Sequence, residues 1–168
     1  MIFYFSATGN TRWAAQRVAE ALQEPLFDMA TFPVDQAEVV LRKDEALGFC
    51  FPVHGWRPSI LVRNFISKLN IKTIGEPYVW AVCTAGDNIG ETMRLFCADL
   101  QHHSLTLAAS CSLIMPESYV GLPMMDVDTR EKEMLKKHTA AQQLEMFIPH
   151  LQARHQKLHW LVNGRWPR

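Results

Sequence analysis

The stretch FYFSATGNT, residues 3–11, joins a short apolar strand to a polar turn, and a helical pattern follows immediately. Gly9 permits a backbone conformation that turns successive N–H groups inward. Those amides would lie at the N-terminus of the helix, where the helix dipole favours an anion. The stretch therefore predicts a phosphate-binding turn. Further donors would come from four polar side chains of the turn: Ser6, Thr8, Asn10 and Thr11.

The phosphate-binding turn, residues 6–11, contains no lysine, and this narrows the choice of ligand. A nucleoside triphosphatase loop reads G-x-x-x-x-G-K-[ST] and uses its lysine and a magnesium ion at the distal phosphates. A dinucleotide-binding fold reads G-x-G-x-x-G, with an acidic residue further along the chain. Since neither pattern is present, a single terminal phosphate held by amides and hydroxyls fits better. The alternative is that the turn only caps the helix.

Strand-like and helical segments alternate along the chain, which implies an α/β fold with a parallel sheet and helices on both faces. The predicted strands are residues 2–5, 25–29, 47–51, 78–83 and 105–115. Residues 30–45 read as irregular and charged. Pro58 suits the first position of the second helix, and Pro149 is expected to kink or split the last one. The residues with helical spacing are Ala14, Val18 and Leu22; Leu61, Phe65 and Leu69; Ile89, Met93, Phe96 and Leu100; and Leu144, Phe147, Ile148 and Leu151.

Three polar turns follow predicted strands: residues 6–11, 52–57 and 84–88. In a parallel sheet the carboxyl ends of the strands share one edge, and ligands bind in the crevice beyond that edge. We therefore expect these three turns to converge on one site.

Composition and charge argue against several classes of partner and location. The 168 residues are 48% hydrophobic and 20% charged, with 17 basic and 17 acidic side chains. This balance gives no electrostatic reason to expect nucleic acid or an anionic membrane as a partner. No apolar run approaches the ~18 residues of a membrane span, and no signal peptide is evident, so a cytoplasmic location is expected. The four cysteines form no C-x-x-C pair and are expected to be buried free thiols: Cys50, Cys83, Cys97 and Cys111. No metal site is predicted.

The stretch at residues 3–11 resembles the FMN phosphate-binding signature of the flavodoxins. The resemblance continues at residues 48–56 and 78–88 and covers about residues 1–155. More narrowly, the chain resembles the flavodoxin half of flavodoxin–ferredoxin fusion proteins, in which a cysteine-rich region with two four-iron clusters follows the flavin domain. The resemblance implies a three-layer, flavodoxin-like α/β fold with a five-stranded parallel sheet in the order 2-1-3-4-5. Residues 1–168 would form one domain, with residues 156–168 as a tail or as the junction to a missing module.

The resemblance also implies which residues hold FMN. Trp56 would stack on one face of the ring, and the peptide between His54 and Gly55 would offer its carbonyl to the flavin N5. His54 could deliver a proton there, or it could simply pack against the ring. Asp87 would oppose negative charge on the reduced ring, or it could cap the following helix. The cofactor-binding residues would be Ser6, Ala7, Thr8, Gly9, Asn10, Thr11, Pro52, Val53, His54, Gly55, Trp56, Thr84, Ala85, Gly86, Asp87 and Asn88.

Three functions remain open on these grounds. The first is an FMN-binding electron-transfer protein that exchanges electrons with a ferredoxin-like iron–sulfur protein or fused module. The second is an FMN-dependent oxidoreductase that takes hydride from NAD(P)H to reduce FMN or a quinone, commonly as a homodimer. The third is a flavin-free interaction module of the same fold.

Some features near the C-terminus have less specific interpretations. The loop at residues 116–119 follows the fifth strand and could line the substrate side of the flavin or contact a partner, or Tyr119 could simply pack within the loop. His155 and His159 are four residues apart on an expected helix, where a solvated face is favoured over a metal site. Trp160 and Trp166 are too apolar for a free tail. They would fold back on the domain, pack in a dimer or mark the junction to another module.

Overall fold

The structure is a computed structural model that describes residues 1–117 and 127–164. Four helices separate single strands or groups of strands in the described part of the chain. The helices are α1 (Asn10–Leu22), α2 (Ile60–Lys68), α3 (Thr92–Gln101) and α4 (Arg130–Gln152). The strands are β1 (Ile2–Tyr4), β2 (Leu26–Asp28), β3 (Glu38–Arg42), β4 (Ala46–His54), β5 (Arg57–Pro58), β6 (Asn70–Ile74), β7 (Tyr78–Ala85), β8 (Leu107–Ile114) and β9 (Leu158–Trp160).

The main sheet has the strand order β2-β1-β4-β7-β8-β9, and each neighbouring pair in this order is parallel. The first five of these strands are the five predicted from the sequence, in the predicted order 2-1-3-4-5. This is the flavodoxin-like order, and the predicted fold class is confirmed. The sheet has one more parallel strand than expected, because β9 pairs with β8.

Helices cover both faces of the sheet and bury its central strands. α1 and α4 pack on one face, where Val18 and Leu144 share a buried cluster with Trp80 of β7. α2 and α3 pack on the other face, and the Phe96 ring lies 5.4 Å from that of Phe49. Full burial of side chains of this size stabilises the fold by about 1.5–3 kcal/mol each. Both layers leave the carboxyl ends of the strands uncovered.

The start of the second helix differs from the prediction. α2 begins at Ile60, and the Ser59 hydroxyl caps it by accepting a hydrogen bond from the Val62 N–H at 3.4 Å. Pro58 instead belongs to β5, which pairs antiparallel with the end of β4. A serine is the better N-cap because its side-chain oxygen satisfies a free helix amide. The buried side of α2 is Val62, Phe65 and Ile66, whereas Leu61 is half-buried.

The segment predicted to be irregular contains β3. β3 pairs in parallel with β6, a strand that the sequence analysis did not predict, and the two form a separate small sheet. Val39 and Leu41 of β3 are buried in the cluster under α2, whereas their neighbours are exposed. Such alternation is the sequence signal of a half-buried strand, but the charged residues around it obscured the pattern.

The third helix starts later than its apolar pattern suggested. α3 begins at Thr92, and its N-cap residue, Glu91, forms no side-chain cap hydrogen bond. Asn88 therefore does not cap the helix; its side-chain oxygen accepts a hydrogen bond from the Gly90 N–H at 3.2 Å. Asp87 accepts one from the Asn88 side chain at 2.8 Å. The alternative reading of Asp87 and Asn88 as helix caps is wrong.

The C-terminal residues also differ from expectation. α4 continues past Pro149 to Gln152 without splitting, because this proline lies in the last turn of the helix. His159 lies in β9, where Nδ1 is 2.8 Å from the Ser110 hydroxyl, so the expected helical pair with His155 does not form. Trp160 folds back onto the domain, with its ring 5.4 Å from that of Phe147. Trp166 lies outside the described residues, as do Ser118 and Tyr119 of the loop at residues 116–119. No described helix has the length and apolar character needed to cross a bilayer.

Candidate functional site

A crevice of about 250 Å³ opens beyond the carboxyl ends of β1, β4, β7 and β8. It brings the three predicted turns together, as the parallel sheet requires. Nine of the twelve lining residues were predicted from the sequence as cofactor contacts. The other three are Met115, which was not predicted, and Pro116 and Glu117, which belong to the loop at residues 116–119. The lining residues are Ala7, Thr8, Asn10, Pro52, Val53, His54, Thr84, Ala85, Gly86, Met115, Pro116 and Glu117.

The phosphate-binding turn has a backbone suited to an anion. Gly9 is the N-cap residue of α1, with φ +100°, and no described side chain forms a cap hydrogen bond there. The first amides of a helix have no partner within the helix, so those of α1 remain available to a ligand. The Ser6 hydroxyl accepts a hydrogen bond from the Gly9 N–H at 3.1 Å and so holds the turn. Ser6 and Gly9 shape the crevice without lining it.

Two predicted phosphate contacts connect the walls of the crevice instead. Thr11 is 1% exposed, and its hydroxyl lies 2.7 Å from that of Thr84 at the end of β7. The Asn10 side-chain amide donates a hydrogen bond to the Pro116 carbonyl at 3.2 Å. These contacts fix the phosphate-binding turn against β7 and against the loop that follows β8. Asn10 still lines the crevice, whereas Thr11 does not.

The second wall is a tight hairpin between β4 and β5. Gly55 and Trp56 form its two-residue loop, with φ values of +56° and +61°. Such positive angles suit a two-residue hairpin, but they are unfavourable for a bulky residue such as tryptophan. The Trp56 side chain lies against Gly90 and is 45% exposed, away from the crevice. His54 is exposed and lines the crevice, so the structure brings His54 to the site but not Gly55 or Trp56.

The third wall is the turn after β7. Gly86 lines the crevice, whereas Asp87 and Asn88 lie beyond it. The C-terminal segment runs beside this turn, since the Ile89 N–H donates a hydrogen bond to the Val162 carbonyl at 2.9 Å. The pairing of β9 with β8 thus supports one wall of the site.

A group of charged side chains that the sequence analysis missed stands behind this wall. We call Glu117, Asp128, Lys132 and Lys136 the Lys136 cluster. Asp128 is 2% exposed and accepts hydrogen bonds from the Lys136 ammonium at 2.6 Å and from the Glu117 N–H at 2.9 Å. Lys132 also pairs with Asp128, at 2.6 Å. Asp128 and Lys132 are only four residues apart, but the hydrogen bond from Lys136 to the Gly86 carbonyl joins residues 50 positions apart, and no local pattern could reveal it.

The cluster changes the acidity of Asp128. Burial acts to raise its pKa, but hydrogen bonds from Lys132, Lys136 and the Glu117 N–H outweigh this and hold the pKa of Asp128 well below its usual range. The carboxylate is therefore ionised throughout the neutral range. It anchors the start of α4 to the loop that lines the crevice.

The Asp128→Asn variant is expected to lower the free energy of unfolding by about 1.5 kcal/mol at pH 7, because it removes charge-assisted hydrogen bonds. Since the pKa of Asp128 is lower in the folded chain than its ordinary value of 3.8, the ionised group stabilises the fold above about pH 4. That contribution is lost as the pH falls further, toward the folded pKa. The difference between wild type and variant should therefore shrink in acid, and urea unfolding at several pH values measures it.

Asp35→Asn is the matched control for this measurement. Asp35 pairs with Lys68 at 3.0 Å, but both side chains are more than half exposed. An exposed pair contributes about 0.2–1 kcal/mol. Equal, small effects of the two substitutions at every pH would contradict the anchoring role of Asp128.

The cysteines do not contribute to the site. All four are free, and Cys97 is half-buried rather than buried as expected. Burial raises the pKa of the Cys111 thiol to about 12 and also raises the pKa values of Cys50 and Cys83. Such thiols remain protonated and unreactive at neutral pH. Within residues 1–117 and 127–164, no group of three or more metal-binding side chains occurs.

Comparisons with known proteins place the fold. No protein-family model and no curated protein matches the sequence. The Trp repressor binding protein of Bacillus subtilis matches the structure with a TM-score of 0.53 and 12% identity, over 90% of this chain and 97% of that one. The two-electron reduced flavodoxin of Megasphaera elsdenii matches with a TM-score of 0.49 and 16% identity, over 84% of this chain and 99% of that one. The rubredoxin oxygen:oxidoreductase of Desulfovibrio gigas matches with a TM-score of 0.48 and 18% identity, over 91% of this chain and only 36% of that one. At identities this low, likeness concerns the fold alone.

Proposed function

We propose that this chain binds FMN in the crevice and transfers electrons through it. The observation that carries the proposal is the uncapped N-terminus of α1 behind Gly9, which opens into a crevice walled by the turns after β4 and β7. A phosphate at the helix and a ring between the two walls would use both features.

The donor set of the phosphate-binding turn suits a phosphomonoester. Ala7, Thr8 and Asn10 line this end of the crevice, and the turn contains neither a lysine nor a carboxylate. Backbone amides, hydroxyls and the helix dipole favour a dianion without a metal ion or a cationic side chain. A triphosphate would require the lysine and magnesium that a P-loop supplies.

The flavin ring would lie between residues 52–54 and 84–86. At about 250 Å³, the crevice is just below the range of about 300–1,000 Å³ that is common for small-molecule sites, so part of the ring would protrude toward the hairpin. When bound, FMN supplies reversible electron transfer. The chain's own residues orient the ring and exclude water from its buried edge. His54 is exposed and lines the crevice, where it would donate a hydrogen bond or a proton at the rim.

A ferredoxin-like iron–sulfur protein or fused module in the cytoplasm is the electron partner that we propose. This assignment rests on the resemblance of residues 3–11, 48–56 and 78–88 to the flavodoxin half of flavodoxin–ferredoxin fusion proteins. The uncovered rim of the crevice would let the partner approach the ring.

The position of Trp56 favours a second candidate. Because this side chain lies against Gly90, it leaves the hairpin side of the crevice uncovered. An FMN-dependent reductase that takes hydride from NAD(P)H needs such an open ring face. A homodimer would then complete the site.

Titration of the apoprotein with FMN, followed by flavin fluorescence, tests the proposed function. We expect FMN to bind at least about 100-fold more tightly than riboflavin, which lacks the phosphate, since about two charge-assisted hydrogen bonds account for this ratio. Absence of FMN binding would remove the redox assignment. Rapid anaerobic bleaching of the bound flavin by NADPH would favour the reductase, whereas reduction only by a reduced ferredoxin would favour the electron carrier.

A further inference from the structure

Lys136 occupies an unusual position in α4. The first half of this helix is largely exposed, and it includes Met134 and Leu135, which are 63% and 65% exposed. The Lys136 side chain is only 12% exposed. The helix therefore buries a charged side chain while it leaves two apolar ones in solvent, so hydrophobic packing does not account for the orientation.

The Lys136 ammonium has three oxygen partners. It donates hydrogen bonds to the Gly86 carbonyl at 2.7 Å and to Asp128 at 2.6 Å, and it lies 3.6 Å from the Glu117 carboxylate. Burial of an ion carries a large desolvation cost, and close acceptors must offset it. Two of these partners, Gly86 and Glu117, also line the crevice.

The contact with Gly86 fixes the orientation of a peptide in the wall. In a trans peptide the N–H points opposite to the carbonyl oxygen. Because Lys136 holds the Gly86 carbonyl, the Asp87 N–H of the same peptide points away from Lys136.

Gly86 also lets Glu117 approach the wall. A Cβ at position 86 would lie 2.7 Å from the Glu117 Cγ, closer than real Cβ contacts allow. Glu117 is 19% exposed and is held from one side by Lys136. Its N–H is held by Asp128. The carboxylate is therefore a fixed group of the wall rather than a mobile surface charge.

We propose that Lys136 is a positioning residue, which holds the Gly86 carbonyl and the Glu117 carboxylate in one wall so that a bound ring meets a fixed negative charge. This inference rests on the proposed function. An anion beside the ring disfavours the gain of electrons, so Glu117 lowers the potential at which bound FMN is reduced.

Four variants test the proposal by two readouts, the dissociation constant of oxidised FMN and the two-electron midpoint potential. Glu117→Gln removes the charge and keeps the shape. We expect near wild-type affinity for oxidised FMN and a tenfold gain in affinity for reduced over oxidised FMN, which equals a rise of about 30 mV. Lys136→Met should weaken FMN binding about tenfold, and Lys136→Arg should restore most of it.

Lys132→Met is the matched control. Lys132 pairs with the same Asp128, at 2.6 Å, but neither Gly86 nor Glu117 is among its hydrogen-bond or ion-pair partners in the described part of the chain. Lys132 also interacts electrostatically with Glu117 and Asp87, so we expect unchanged affinity and a change in potential well below that of Lys136→Met. Equal effects of Lys132→Met and Lys136→Met, or an unchanged potential in Glu117→Gln, would overturn this inference and leave FMN binding intact. A wild-type chain that binds no FMN would overturn the proposed function and this inference with it.

Discussion

Gly48→Ala is expected to lower the free energy of unfolding by about 3 kcal/mol or more, which is large for the addition of one methyl group. Gly48 lies in β4 opposite Trp80 of β7, and the indole ring occupies the space above it. An alanine Cβ would lie 2.1 Å from Cζ2 of that ring. Because Trp80 is 1% exposed and tightly packed, the ring cannot move aside without distorting the sheet. Urea unfolding of the apoprotein gives the change from the midpoint at constant slope.

A double-mutant cycle identifies the cause of this loss. Trp80→Phe removes part of the ring that the new methyl group meets, so Gly48→Ala should cost at least about 1.5 kcal/mol less in that background. Gly55→Ala is the control, because a Cβ there meets nothing within 4 Å and only its φ of +56° is unfavourable. A loss in Gly48→Ala no greater than in Gly55→Ala would show that the indole does not limit this position.

Gly9→Val is expected to weaken FMN binding about 100-fold while the fold persists. A Cβ at Gly9 meets nothing within 4 Å, so the substitution causes no clash. Its φ of +100° is nevertheless very unfavourable for a β-branched residue. Valine should rotate the turn and misdirect the amides that open α1. A 100-fold weaker affinity corresponds to about 2.7 kcal/mol of binding free energy, which is the contribution of one to two hydrogen bonds to a charged phosphate.

Two controls separate the phosphate from the rest of the ligand. The affinity for riboflavin should change little in Gly9→Val, because riboflavin lacks the phosphate. Gly75→Val imposes a similar backbone penalty, at φ +91°, near the opposite end of β7, and should bind FMN normally. Thr8→Ala, which removes one hydroxyl of the turn, should weaken FMN binding about fivefold. Wild-type FMN affinity in folded Gly9→Val would remove the assignment of residues 6–11 as the phosphate site.

The sequence could predict the features that depend on local pattern. Strand and helix periods, together with the rule that parallel strands end at one edge, were enough to bring part of each turn, at residues 6–11, 52–57 and 84–88, to one crevice. Local pattern failed where two signals competed. The pattern around Pro58 indicates the start of a helix, but Ser59 caps α2 and Pro58 pairs with β4 in the hairpin. The pattern around Asn88 indicates a helix cap, but its side-chain oxygen accepts a hydrogen bond from the Gly90 N–H.

The amino-acid sequence by itself determined the fold class and the polar turns that follow the strands, because each follows from residues adjacent in the chain. Only the tertiary structure decided that Thr11 bonds Thr84, that β9 extends the sheet and that Lys136 holds the wall containing Gly86 and Glu117. The physical reason is distance along the chain. A contact between residues far apart in the chain leaves no periodic signal, and it exists only once packing has brought its two partners together.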